Sequence, residues 1–124
     1  MSAYTIVMNS CAFAAGDLSE QQEAFAIAKS CLWEMCHSIY GKPNFVAFGT
    51  FLKACGRLDI PVAERNANIR AAFQMACEHQ EANDFVFAQL RYAAPNSLYT
   101  ELVNKARHTK KVLVSNINTT ASNT

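Results

Sequence analysis

Large apolar residues fall at positions 4, 7, 8 and 11 and recur 44 positions later, at 48, 51, 52 and 55. Each set has the i, i+3, i+4, i+7 spacing that places side chains on one face of an α-helix. A second correspondence pairs Leu32-Trp33-Glu34-Met35-Cys36 with Ala72-Phe73-Gln74-Met75-Ala76 at an offset of 40. Gly16 precedes Met35 by 19 positions and Gly56 precedes Met75 by the same 19. One helix pair is therefore expected twice. The fold class this predicts is all-α, an α-solenoid of stacked antiparallel helix hairpins with two clear repeats and a divergent third.

Local signals set the expected boundaries. Helix A of unit one is expected from Ser2, as N-cap, to about Ala14, with a break at Gly16-Asp17. Ser19 followed by Gln22 has the form of a capping box and predicts the start of helix B. Its inward face would carry Phe25, Ala28, Leu32, Met35 and Ile39, and it would stop at Gly41 with Pro43 beyond. Asn44 is expected to cap the second helix A, which runs to about Gly56. Asp59 and Pro61 reopen the chain as a helix B reaching about Gln80, since proline is tolerated in a first turn.

Residues 84–94, with Val86, Leu90, Ala93 and Ala94, and a helix opening at Pro95-Asn96-Ser97, with Leu98, Leu102, Val103 and Ala106, make the divergent third hairpin. The plan is a helical repeat domain over 1–107, divided at 1–44, 45–82 and 83–107. Residues 108–124, rich in Asn, Thr and Ser, are expected to form a disordered tail. Tyr4, Cys11, Phe48, Phe51, Cys55, Phe73 and Met75 are expected to be buried, with Trp33 in the core at the position of Phe73.

The run Tyr40-Gly41-Lys42-Pro43-Asn44-Phe45-Val46-Ala47-Phe48-Gly49-Thr50-Phe51-Leu52-Lys53-Ala54-Cys55-Gly56-Arg57-Leu58 resembles the join between units of the pentatricopeptide repeat family. There a Gly-x-Lys-Pro-Asn/Asp turn leads into an aliphatic-aromatic helix A and a Gly-Arg/Asp-Leu elbow. Gly16-Asp17-Leu18 and Glu34-Met35 match the preceding unit, so the resemblance covers residues 1 to 80. Helix B is about seven residues longer than the family's usual form, nearly two helical turns, which keeps the apolar face aligned. Two convincing units fall short of the roughly three or more that such arrays need, so neighbouring repeats of a longer chain are expected.

The resemblance implies single-stranded RNA as partner, read about one base per unit by helix A and by the last residue of the closing turn. Carried over residue by residue, it makes Thr5 with Asn44 a base-reading pair and gives unit two Gly49, which has no side chain to read with. Thr5 also fits a solvent-facing helix residue, and Asn44 also fits an N-cap. Lys53 and Arg57, one turn apart, are candidate phosphate contacts, as are Lys105, Arg107, Lys110 and Lys111. The last four equally suit a solvated helix end whose charges complement the dipole. The family also implies a mitochondrial or plastid setting, in organellar RNA metabolism. A protein-interaction scaffold using the concave groove is the alternative function.

Composition narrows this further. Eleven Lys+Arg against ten Asp+Glu leave a net charge of +1, so any polyanion partner must be held by local charge. No stretch reaches the ~18 consecutive apolar residues of a membrane span, and Met1-Ser2-Ala3-Tyr4 lacks the features of a signal peptide. Five cysteines in apolar-periodic segments read as small hydrophobes in a reducing compartment. Neither they nor His37, His79 and His108 have metal-ligand spacing, and no nucleophile, paired carboxylates or phosphate loop is visible. No cofactor, metal or catalytic activity is expected.

Overall fold

The computed structural model describes residues 2–39 and 42–108. Its helices are α1 (Ala3–Ala12), α2 (Leu18–Cys36), α3 (Phe45–Arg57), α4 (Val62–Glu78), α5 (Asp84–Ala93) and α6 (residues 96–108), with no strand among the described residues. The chain is all-α. Lys110, Lys111 and nearly all of the expected tail lie outside the described residues, while His108, placed in that tail by sequence, is helical.

The same device starts α1, α3 and α5. A side-chain oxygen of Ser2, Asn44 or Asn83 accepts the backbone N–H three residues on, at Thr5 (3.2 Å), Ala47 (3.1 Å) and Val86 (3.1 Å). Helix α2 is capped by Asp17, whose carboxylate accepts from the Glu20 N–H at 2.9 Å, and not by Ser19. An ionised cap complements the helix dipole, which a hydroxyl does not. Helix α2 also stops at Cys36, earlier than Gly41 suggested. His37 closes it with a backbone bond to the Glu34 carbonyl and a ring contact to the Trp33 carbonyl, leaving Ile39 outside the core and 88% exposed.

Contacts between the odd-numbered helices increase in step along both partners. Asn9 meets Lys53 and Ala12 meets Arg57 across α1 and α3, while Gly49 meets Phe85 and Gly56 meets Ala93 across α3 and α5. These three helices therefore run parallel, with α3 in the middle. Helices α2 and α4 lie against this row: α2 on α1 and α3, α4 on α3 and α5. Their shared core holds Phe25, Phe48, Phe51 and Phe73, each no more than 2% exposed. Phe25 and Phe51 sit 5.8 Å apart by ring centroid, and Phe73 meets Phe87 edge-on at 5.4 Å. Each such ring contributes about 1.5–3 kcal/mol by leaving water.

Three burial expectations are corrected. Tyr4 is 36% exposed, Trp33 is 63% exposed and Met75 is only partly buried. One cause covers all three, because the buried arcs of α1 and α3, and of α2 and α4, correspond one position away from the sequence match. In α2 and α4, the buried Ala28, Leu32 and Met35 correspond to Ile69, Phe73 and Ala76, an offset of 41 and not 40. In α1 and α3, the buried Thr5, Met8, Cys11 and Ala12 correspond to Phe48, Phe51, Ala54 and Cys55, an offset of 43 and not 44. One residue is 100° of helix rotation, enough to move a side chain from core to rim. Helix α1 shows the shift most clearly: among the described residues it packs in the row against α3 alone.

Candidate nucleic-acid interface

Thr5 and Asn44 line one pocket of about 360 Å³, together with Ser2, Met35, Lys42 and Val46. The start of α1, the last turn of α2 and the approach to α3 converge there. Thr5 is buried, not solvent-facing, and its hydroxyl lies 2.9 Å from that of Ser2. Asn44 does serve as N-cap, using its Oδ1 on the Ala47 N–H. That leaves its amide NH2 without an acceptor among the described residues. The pocket thus offers an amide donor, a hydroxyl pair able to donate or accept, the exposed Lys42 and apolar walls of Met35 and Val46. Ser2, Met35 and Lys42 were not legible as its lining, because spacing along a chain does not reveal which helix ends meet.

Gly49 faces α5. A Cβ built on it would lie 2.2 Å from Cε2 of Phe85, so the Phe85 ring already fills the space beside it. Lys53 and Arg57 are drawn together as expected, but onto α1. The Lys53 ammonium donates to Asn9 Oδ1 at 2.7 Å, and Arg57 Nε donates to the Ala12 carbonyl at 3.1 Å. Both also sit over the Phe13 ring, the ammonium at 4.8 Å and the guanidinium carbon at 4.3 Å from its centroid. Phe13 carried no signal in the repeat pattern, since it follows α1 and belongs to no stripe. Lys105 and Arg107 are on α6, which is tied to α4 by the ion pair of Glu101 with Arg70. That pair raises the Arg70 pKa and lowers that of Glu101, through their shared hydrogen bond first. The structure does not bring Lys105 or Arg107 to the Thr5–Asn44 pocket.

A second opening lies between α2 and α4, which are linked by the Cys36 thiol donating to Met75 Sδ at 4.0 Å. This cleft of about 380 Å³ has Phe51 and Ala72 among its lining residues, with Trp33, Lys29 and Asn68. Trp33 packs on His37 with ring centroids 4.3 Å apart.

The five thiols are free, and burial pushes all of them up, Cys55 to about 12. Among the described residues no group of three or more His, Cys, Asp or Glu is assembled that could hold a metal, and no helix is long and apolar enough to cross a membrane. Comparison with protein-family models, with curated proteins and with solved structures finds no match for this chain.

Proposed function

We propose that the chain is a pentatricopeptide-type α-solenoid segment that binds single-stranded RNA along the row α1, α3 and α5. One observation carries this reading: α1 and α3 contain no carboxylate, whereas α2 and α4 hold Glu20, Glu23, Glu34, Glu64 and Glu78. A near-neutral chain that sorts its charge this way offers phosphate Lys53 and Arg57 on helices that carry no acid of their own. The parallel row of helices, each opened by the same capping device, supports the array reading.

The Thr5–Asn44 pocket is the proposed base contact. The Asn44 amide and the Ser2–Thr5 hydroxyls would bond a base edge between Met35 and Val46, with Lys42 toward the backbone. An organellar setting belongs to the same proposal and rests on the family resemblance alone.

The test is fluorescence anisotropy with short homopolymeric and mixed RNAs at two salt concentrations. The variant combines Thr5→Val, which keeps the buried shape, with Asn44→Ser, which keeps an N-cap but removes the amide. Discrimination among homopolymers should disappear while mean affinity stays within about threefold, since phosphate contacts are sequence-independent. Unchanged discrimination rejects this pair of residues. Absence of saturable binding by the wild-type chain rejects RNA and favours a protein scaffold, for which the cleft between α2 and α4 with exposed Trp33 is the observation in hand.

A further inference from the structure

At the C-terminal ends of α1, α3 and α5, two aromatic rings and two cations reach the surface. Phe13 is 54% exposed and Tyr92 50% exposed, each with about half of its surface open to solvent, unlike the buried rings of Phe25, Phe48, Phe51 and Phe73. Lys53 and Arg57 both lie over the Phe13 ring. The Tyr92 ring lies across Gly56, next to Arg57 in the chain, with its Cε2 3.2 Å from where a glycine Cβ would be. Phe13 closes α1, Lys53 and Arg57 lie on α3 and Tyr92 lies on α5, so the four groups sit toward the same end of the parallel row. Helices α1 and α3 carry no carboxylate, and α5 contributes its only acid, Asp84, at the opposite end.

The cations have capacity left. Arg57 spends Nε on the Ala12 carbonyl, which fixes the guanidinium plane while leaving both terminal nitrogens without partners among the described residues. Lys53 spends one of its three N–H donors on Asn9. An aromatic ring beside a fixed guanidinium matches a nucleobase with its phosphate: the ring or guanidinium plane stacks on the base, and the unused donors take the phosphate. An acidic peptide would satisfy the cations but leave the two exposed rings unused.

We propose that Phe13 with the Lys53 and Arg57 cations over it, and Tyr92 one helix further along the row, form a stacking surface for unpaired bases of a single-stranded nucleic acid and their phosphates. This rests on the RNA reading above but is a separate site from the Thr5–Asn44 pocket, contacting a base without distinguishing it. Stacking is sequence-tolerant because every base has a π-face.

The probes are a fluorescein-labelled mixed-sequence single-stranded RNA, the same RNA with single abasic positions, its duplex, and a labelled glutamate-rich peptide, each titrated with the full chain. Phe13→Leu should weaken binding of the single strand by about fivefold or more whatever its sequence, and Phe13→Tyr should restore it. For at least one abasic position, the wild-type loss should match that of Phe13→Leu on intact RNA. Arg57→Gln should lower the salt slope by roughly one. Thermal melts of each variant confirm folding, and Tyr92→Leu, on another helix, provides an independent arm. If the wild type binds RNA but neither Phe13→Leu nor Tyr92→Leu weakens it, the stacking surface is overturned while the RNA reading stands. If the wild type binds only the peptide, or no RNA, both are overturned.

Discussion

The Phe85 ring of α5 occupies the space above Gly49 of α3, so that a Cβ at position 49 would come within 2.2 Å of Cε2 and 2.6 Å of Cδ2. Phe85 in turn meets Phe45 edge-on at 6.2 Å. The glycine in the middle of α3 is thus explained by the close approach of two helices.

Gly49→Ala sets two effects against each other. Alanine favours a helix by about 1 kcal/mol, while the displaced ring costs about 1–3 kcal/mol. The expected result in urea denaturation is net destabilisation in the wild-type background. With Phe85→Ala the obstruction is gone, and Gly49→Ala should then stabilise by about 1 kcal/mol. Additive effects in this double-mutant cycle would contradict the contact.

Trp33 and Phe73 were paired by sequence, yet one is 63% exposed and the other 2%. Trp33→Ala should change stability by about 0.5 kcal/mol or less, whereas Phe73→Ala should cost about 3–5 kcal/mol. Indole fluorescence of the native chain should be open to acrylamide quenching. A blue-shifted, protected emission would place Trp33 back in the core.

Cys55 keeps its proton in the folded state because burial raises its pKa from 9.0 to about 12. The unfolded chain releases that proton at lower pH, so the associated stability is complete below pH ~9 and is lost as pH rises toward 12. The slope is about 1.4 kcal/mol per pH unit in that window. Cys55→Ala loses packing at pH 7, and its deficit relative to wild type should shrink by about 1 kcal/mol by pH 10. A deficit that stays constant from pH 7 to 10 would refute this. In the native chain a thiol reagent should react with Cys31, Cys36 and Cys77 ahead of the buried Cys11 and Cys55.

By itself the sequence determined the helices and most of their ends. Apolar periodicity and the caps at Ser2, Asn44 and the Pro61 turn are local properties, settled within a few residues. It also determined that Phe48, Phe51, Cys55 and Phe73 lie inside. Only the tertiary structure decided how each helix is turned about its axis, because rotation depends on which neighbours cover which flank. A helix flanked on both sides, such as α3, buries residues all round, while α1 leaves Tyr4 and Val7 at the rim. The buried positions of α1 and α3, and of α2 and α4, therefore correspond one position away from the residue match seen in the sequence. Tertiary contacts likewise joined Thr5 to Asn44 in one pocket and drew Lys53 and Arg57 onto Phe13, since packing of separate helix ends has no period along the chain for a sequence to display.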